Sequence, residues 1–416
     1  MKIYTYQPSL TAKKRGEVRP PLAPGVSWIQ FGEETVLYHD EPQEAKAVAT
    51  SSRGARMPRR AEEVTREQMH IVIQNGRLFQ QHNPEIPVLH DRGRFLLVKI
   101  DPDKARALSD KHETCYGLVP LEEDHVVFQS REPAASRTPA PAIQTIVRKV
   151  DRSSFGSSIT KLASFPTRNS TSTGFIDAAT WARKQLKDMG YATRLQSVTV
   201  NGGKSQNIIA EKVGKSSGAH QVVIVTAHLD SINLAGGPAA PAPGADDNGS
   251  GSAGLLEIAR VFQNYTNVQD LRLILFGGEE QGLFGSKRYV AGISKADKGR
   301  IRAVVNMDMI GALNSSARSV LLEGAPVSQA IISGLSKAAA TYTQLKVETS
   351  LRPFASDHVP FINAQIPAVL TIEGADNANG NIHSANDTLD KIDFETALEI
   401  LRMNVAFVAE QIGSSK

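Results

Sequence analysis

The sequence feature that most constrains the fold is the alternation of short apolar segments with amphipathic ones in the second part of the chain. Largely apolar runs such as VVIVTA (222–227), LRLILF (271–276) and IRAVVNM (301–307) alternate with stretches of helical periodicity such as GSAGLLEIARVF (251–262). Apolar strands that alternate with helices are typical of a parallel or mixed sheet covered on both sides. The sequence therefore predicts an α/β domain with a mixed, mostly parallel central sheet and helices on both faces.

A change in composition predicts a domain boundary. The segment REPAASRTPAPA (131–142) is rich in Pro and Ala, shows no apolar periodicity and is predicted to be a linker. Before it, residues 1–130 contain strand-like segments and one helix signal, in which Asp101 is the N-cap candidate and Pro102 the first helical residue. These patterns predict a small α+β N-terminal domain whose role stays open between a pro-segment, a binding domain and an oligomerisation element. Residues 143–416 form the predicted catalytic domain.

The composition limits the functions that this chain of 416 residues can have. Cys115 is the only cysteine, which excludes an internal disulfide and a thiolate-cluster metal site. The net charge of +4 is spread out, and the basic cluster between Arg53 and Arg66 lacks aromatic partners, so no nucleic-acid partner is expected. No apolar run approaches the roughly 18 to 20 residues that span a bilayer, and residues 1–20 lack the apolar stretch of a signal peptide. No membrane partner is expected, while compartment and oligomeric state stay open.

Polar side chains directly follow the apolar runs, at the position where open α/β sheets bind their ligands. The three runs are followed by His228 and Asp230, by Glu279 and Glu280, and by Asp308. The loops GADDNGSG (244–251) and NIHSANDT (381–388) add Asp247 and His383. Each residue alone is compatible with a hydrogen-bonded rim histidine, a solvated strand end or a turn. Together they predict two imidazoles and several carboxylates at one edge of the sheet.

A cluster of this composition predicts a metal site. Carboxylates held close together repel and raise one another's pKa unless a cation neutralises them. Imidazole and carboxylate ligands without a thiolate favour Zn²⁺, with Mn²⁺ or Co²⁺ as substitutes, whereas all-oxygen Ca²⁺ or Mg²⁺ sites need no histidine. One divalent ion or a pair of them would meet this requirement.

The sequence does not support other catalytic classes. A serine hydrolase of the nucleophile-elbow type needs G-x-S-x-G between a strand and a helix; the string GKSSG (214–218) has this spacing, but it lies between the strand-like runs NIIAEKV (207–213) and VVIVTA (222–227) and no helix follows it. A cysteine nucleophile could only be Cys115, which lies outside the predicted catalytic domain. The glycine-rich string GADDNGSGSAG (244–254) is acidic, and its carboxylates would repel the phosphates of a nucleotide.

The motifs at the strand ends resemble those of the co-catalytic di-zinc aminopeptidases of metallopeptidase family 28, typified by bacterial leucyl aminopeptidase. Relatives of these enzymes include glutamate carboxypeptidases and glutaminyl cyclases. The resemblance covers roughly residues 145–416, in the family's order, and does not extend to the residues before 140. The matching strings are AHLDS (227–231), PGADDNGSG (243–251), FGGEEQGLFGS (276–286), NMDMIG (306–311), SDHVPF (356–361) and IHSANDT (382–388).

The resemblance implies two zinc ions per chain and a role for each candidate residue. The implied ligands are His228 and Asp308 for one zinc, Glu280 and His383 for the other, and Asp247 as the carboxylate that bridges them. The implied general base is Glu279, and the implied partner that orients His228 is the carboxylate of Asp230. The peptide bond between Asp247 and Asn248 is expected to be cis.

The activity implied by the resemblance is the removal of N-terminal amino acids from peptides with a free N-terminus, by a zinc-activated hydroxide. A carboxypeptidase or a glutaminyl cyclase of the same superfamily is the alternative, and a non-enzymatic binding module on this scaffold is a further one. By spacing alone, His358 rivals His383 as a ligand. Ile382 stands where some relatives have a tyrosine that helps to stabilise the oxyanion. A secreted or periplasmic location follows from the resemblance only.

Overall fold

The structure, a computed structural model, describes residues 2–6, 24–39, 55–56, 64–109, 116–131 and 137–413. The chain forms two compact units. The N-terminal unit comprises Met1–Arg131 with Glu348–Arg352, and the C-terminal unit comprises Glu132–Val347 with Pro353–Lys416. Cys115, most of the basic cluster between Arg53 and Arg66, and residues 132–136 of the predicted linker lie outside the described residues.

Mostly antiparallel strands build the N-terminal unit. The described elements are β1 (Lys2–Tyr6), β2 (Ser27–Phe31), β3 (Glu34–His39), β4 (Ala55–Arg56), β5 (Met69–Gln74), α1 (Leu78–His82), β6 (Val88–Arg92), β7 (Phe95–Lys99), α2 (Pro102–Ser109), β8 (Tyr116–Pro120) and β9 (His125–Arg131). Strand β3 pairs with β1 and β2, β4 pairs with β1, and β2 pairs in parallel with β9. The strands β6-β7-β5-β8 form a second, antiparallel sheet.

The helix signal in the N-terminal unit corresponds to α2. Asp101 Oδ1 accepts hydrogen bonds from the backbone N–H groups of Asp103 and Lys104, at 3.0 and 3.2 Å, so it caps the helix that begins at Pro102. Ala105 and Leu108 of this helix are buried in an apolar core shared with strands β5 and β7. The predicted strands and capped helix of this unit are therefore present.

The second part of the chain alternates helices with strands. Its helices are α3 (Pro141–Val147), α4 (Arg152–Ala163), α5 (Thr173–Asp188), α6 (Gly251–Phe262), α7 (Phe284–Ala291), α8 (Lys295–Arg300), α9 (Gln329–Tyr342), α10 (His358–Asn363) and α11 (Phe394–Ile412). Its strands are β10 (Ala192–Val200), β11 (Gly203–Lys212), β12 (Val222–His228), β13 (Asp270–Phe276), β14 (Ile301–Met307), β15 (Ser319–Glu323), β16 (Lys346–Ser350) and β17 (Ala368–Glu373). Helix α3 begins at Pro141, inside the segment predicted to be a linker.

The sheet of the C-terminal unit is mixed. Seven of its strands have the order β10-β11-β13-β12-β14-β17-β15. The pairs β13–β12, β12–β14 and β14–β17 are parallel, whereas β10–β11, β11–β13 and β15–β17 are antiparallel. Parallel pairing is thus confined to four central strands. Because β12 and β14 run side by side in the same direction, the residues that follow them meet at one edge of the sheet.

Both faces of this sheet are covered. Alternate residues of a strand point to opposite faces, and those of β12 belong to two different cores. Val223 and Val225 pack in the core that includes helices α4, α5, α6, α9 and α11. Val222 and Ile224 pack in a second core with Tyr289 of α7 and with residues of α10. The predicted sheet with helices on both faces is confirmed. Among the described residues, no helix is both long and apolar enough to cross a membrane.

Candidate metal centre

Two parallel strand ends bring the first histidine and carboxylate together. His228 is the last residue of β12, and Asp308 directly follows β14. Both side chains are buried, and His228 Nε2 lies 3.1 Å from Asp308 Oδ1. The contact follows from the register, because β12 and β14 are hydrogen-bonded neighbours whose carboxyl ends lie at the same edge.

Asp247 lies between the two histidines that the sequence singles out. Its Oδ1 is 3.3 Å from His228 Nε2, and its Oδ2 is 3.0 Å from His383 Nε2. The peptide bond between Asp247 and Asn248 is cis, as expected. His383 Nε2 also lies 3.1 Å from Glu280 Oε2, the other member of its predicted ligand pair. Asp247 therefore contacts one histidine from each of the two predicted pairs.

The adjacent glutamates are presented by a loop that leaves the sheet. Strand β13 ends at Phe276, and Gly278 has a positive φ of 80°. A Cβ at Gly278 would lie 2.6 Å from Val200 Cγ2, so a larger residue would meet a steric clash in addition to the unfavourable φ. Regular strand geometry would point neighbouring side chains to opposite faces, whereas this loop brings both Glu279 and Glu280 to the centre.

The donor atoms of the cluster fit a divalent cation. One ligand atom each from His228, Glu279 and Asp308 lies within 4.8 Å of the others, and the same holds for His228, Asp247 and Glu280. Among the described residues, Glu280 Oε1 is buried without a hydrogen-bond partner. Two imidazoles with several carboxylates are a typical zinc ligand set. Distance alone does not separate a ligand from a base at Glu279.

Burial and like charges shift the pKa values of these acids. Burial, followed by repulsion from Asp247, raises the pKa of Glu280 to about 7. Burial likewise raises the pKa of Glu279 well above its ordinary value, and neighbouring carboxylates add to the effect. For Asp247, hydrogen bonds from His228 and His383 outweigh burial and lower the pKa. The site is therefore an acidic cluster whose ionised form needs additional positive charge.

Asp230 makes different contacts from those expected. Its carboxylate Oδ1 is 3.8 Å from His228 Nδ1, beyond hydrogen-bond distance, and the nearer partner is the Asp230 backbone carbonyl at 3.1 Å. The carboxylate instead accepts the backbone N–H groups of Glu279 and Glu280, at 3.3 and 3.2 Å. Asp230 therefore holds the loop of the two glutamates, while its main chain contacts His228.

His358 does not join the cluster. It is buried at the start of α10, and its Nε2 lies 3.4 Å from Glu323 Oε1. His383, rather than His358, contacts Asp247 and Glu280. The structure thus separates two histidines that spacing alone left as rivals.

Ser356 contacts the centre without having been singled out in the sequence. Its hydroxyl donates to Asp308 Oδ2 at 2.6 Å and accepts from Asn306 Nδ2 at 2.8 Å. The only signal for it is its position in the string SDHVPF, next to the residues that were considered there. A serine 48 positions from its partner has no periodicity that links it to that partner.

Comparison with known proteins identifies the region that carries this centre. Residues 207–408 match the sequence model of Peptidase family M28. This part of the chain belongs to peptidase family M28. The M28 region contains all seven residues that the sequence analysis places at the site, and the match supports a peptide hydrolase.

Individual proteins of known name are similar to this chain in sequence or in fold. The chain is 28% identical over 300 residues to a probable leucine aminopeptidase of Trichophyton verrucosum (strain HKI 0517), covering 68% of this chain and 80% of the relative. Its structure is similar to BSAP, a zinc aminopeptidase from Bacillus subtilis, with a TM-score of 0.56 at 18% identity over 63% of this chain and 95% of that one. It is also similar to Porphyromonas gingivalis glutaminyl cyclase, with a TM-score of 0.52 at 21% identity over 63% and 99% of the two chains. At such identities the two structures show the shared fold alone, and they confirm the fold predicted for the catalytic part.

Proposed function

We propose that the protein is a zinc aminopeptidase that removes N-terminal amino acids from peptides with a free N-terminus. The observation that carries the proposal is the position of Asp247, whose two carboxylate oxygens lie 3.3 and 3.0 Å from the imidazole nitrogens of His228 and His383. A carboxylate in this position can bridge the two ions of a two-metal site. The leucine aminopeptidase and zinc aminopeptidase to which the chain is similar support the same activity.

The residues at the centre divide into two overlapping ligand sets. One Zn²⁺ would be held by His228, Asp308 and Asp247, and the other by Asp247, Glu280 and His383. Mn²⁺ or Co²⁺ would be accepted by the same nitrogen and oxygen donors. The buried, partnerless Glu280 Oε1 supports this division, because an unpaired buried oxygen is costly unless a ligand compensates it.

The chemistry would combine the ions with the acids of the chain. When bound, the ions supply positive charge that polarises the scissile carbonyl and lowers the pKa of water. Glu279 would accept a proton from the attacking water and donate it to the leaving amine nitrogen. The buried carboxylates would attract the ammonium group of the substrate, which restricts cleavage to the first peptide bond.

A substrate panel tests the proposed activity. The zinc-loaded protein should hydrolyse leucine p-nitroanilide and unblocked dipeptides, and it should not cleave the same dipeptides when their N-terminus is acetylated. Cleavage of the blocked dipeptides would instead favour a carboxypeptidase. Release of ammonia from a glutaminyl peptide, without hydrolysis, would favour a cyclase.

A glutaminyl cyclase is the second candidate, because a structure with this activity shares the fold. The presence of five candidate ligands together with Glu279 favours hydrolysis by two metals over a site with one zinc. Zinc content separates the two candidates directly, since the peptidase proposal requires two ions per chain and the cyclase proposal requires one.

A further inference from the structure

Asp387 makes an unusual set of contacts with the loop that carries Asp247. It lies four residues after His383, and only 1% of its surface is exposed. Its Oδ1 accepts the backbone N–H of Asp246 at 2.9 Å, and its Oδ2 accepts that of Asp247 at 2.9 Å. Its backbone carbonyl accepts the N–H of Ala245 at 3.0 Å. Three successive N–H groups of one loop are therefore held by a single residue of another.

The same arrangement occurs at the loop of the two glutamates. There the carboxylate of Asp230 accepts the backbone N–H groups of Glu279 and Glu280. In both loops a buried aspartate spans two consecutive N–H groups, one of which belongs to a candidate ligand. Two consecutive N–H groups that donate to one buried side chain are fixed in place, so these hydrogen bonds restrict the loop backbone.

The residues just before the segment 245–247 are held by Arg168. This fully buried guanidinium donates to the carbonyl groups of Pro243 and Gly244 at 2.5 and 2.9 Å. It also donates to the carbonyl of Leu229, the residue after His228, at 2.8 Å. Arg168 thus connects the Asp247 loop to the end of β12, while Asp387 connects the same loop to the His383 loop.

We propose that Asp387 is a positioning residue that sets the placement of Asp247 relative to His383. The inference rests on the proposed function, in which these two side chains bind the same zinc ion. They come from loops separated by more than a hundred residues, so their mutual placement depends on contacts between the loops. Without Asp387, the N–H groups of Asp246 and Asp247 would lose their acceptor, and the orientation of the Asp247 carboxylate would be less restricted.

The test compares Asp387→Asn with Asp390→Asn. Both variants replace an aspartate by asparagine in the same stretch of chain, but Asp390 is exposed, and its carboxylate accepts hydrogen bonds from Thr388 and Lys391 of its own segment. Zinc affinity would be measured in the full-length apo protein by competition with a chromophoric chelator. The visible absorption spectrum of the Co²⁺-loaded protein would report ligand geometry, and kcat and KM would be measured separately.

The proposal predicts zinc binding about 10- to 100-fold weaker in Asp387→Asn, the range typical for groups that orient metal ligands. The Co²⁺ spectrum should change, and kcat should fall more than KM rises. Asp390→Asn should match the wild type in all three measurements. Wild-type zinc affinity and an unchanged Co²⁺ spectrum in Asp387→Asn would overturn the proposal while leaving the proposed function intact.

Two further outcomes are decided by the wild-type protein. If it binds no zinc, the proposed function fails, and this inference fails with it. If Asp387→Asn does not fold, hydrogen exchange of the wild-type amides decides instead. The proposal requires slow exchange of the Asp246 and Asp247 N–H groups, and fast exchange of both would overturn it.

Discussion

Acidic side chains occupy opposite environments in the N-terminal unit and at the candidate metal centre. In the N-terminal unit, acids pair with cationic side chains near the surface, as in Arg77–Asp91 at 2.8 Å and Arg92–Glu34 at 3.1 Å. At the metal centre, buried acids face one another and two histidines. Exposed ion pairs contribute little to stability, whereas buried charges are costly unless they are compensated. The difference favours a cation-binding role for the second cluster over a role in stability.

The largest expected effect comes from replacing the two adjacent glutamates one at a time. Glu279→Gln should retain zinc and lower kcat by about 10²- to 10⁴-fold, because it removes the general base. Glu280→Ala should lower the zinc content, because it removes a ligand. Metal analysis and turnover of both purified variants provide the measurement. Equal loss of zinc from the two variants would contradict the division into base and ligand.

The second effect concerns His90, a largely but not fully buried histidine of the N-terminal unit. Burial, assisted by Arg92, lowers the pKa of His90 from 6.5 to about 4. The unfolded chain therefore binds a proton that the folded chain does not, and the unfolding free energy should fall by about 3 kcal/mol as the pH drops from 6.5 to 4. His90→Gln should reduce this dependence.

The two tryptophans allow this measurement to be made on one unit. Trp28 lies in β2 of the N-terminal unit and Trp181 in α5 of the C-terminal unit. In a Trp181→Phe background, fluorescence during urea unfolding reports the N-terminal unit alone. If the unfolding free energy depends on pH equally in the protein with His90 and in His90→Gln, the lowered pKa of His90 is contradicted.

The third effect is a difference in stability: zinc should stabilise the C-terminal unit and leave the stability of the N-terminal unit unchanged. A ligand that binds only the folded state, at a free concentration 100 times its Kd, raises the unfolding free energy by about 2.7 kcal/mol. Zinc should therefore raise the unfolding free energy reported by Trp181 in a Trp28→Phe background. The transition reported by Trp28 in the Trp181→Phe background should not move. Equal shifts of both transitions would contradict a metal centre confined to the C-terminal unit.

The smallest effect is expected at a surface ion pair. Arg77→Gln removes the partner of Asp91, and both side chains are partly exposed. The unfolding free energy of the N-terminal unit should change by less than about 1 kcal/mol. A loss of several kcal/mol would show that charge pairs in this unit are more important than the comparison assumes.

The sequence predicts the part of the site that lies at strand ends. His228 and Asp308 follow apolar runs, and parallel pairing of those runs is enough to bring them together. The choice between His383 and His358 as the second histidine could not be made in this way, because both follow irregular segments. Resemblance to a family favoured His383, and the contacts with Asp247 and Glu280 agree with that prediction.

Other features depend on contacts that a single sequence does not encode locally. Helix α4 has a weak signal in the sequence, because RSSFGSSITKLA combines Gly156 with several serines that have weak helix propensity. Its N-cap, Asp151, accepts a hydrogen bond from Ser154 N and was the one available signal. Arg168 and Asp387 hold the Asp247 loop from distant positions, so no spacing rule connects them to it.

Metal content measured together with turnover tests the central claim most directly. We predict two zinc ions per chain by mass spectrometry, hydrolysis of leucine p-nitroanilide, loss of that activity on chelation, and its return when zinc is added. Metal-replete protein that holds no zinc at the cluster of His228, Asp247 and His383, or that hydrolyses the substrate equally well after complete removal of metal, would contradict the account.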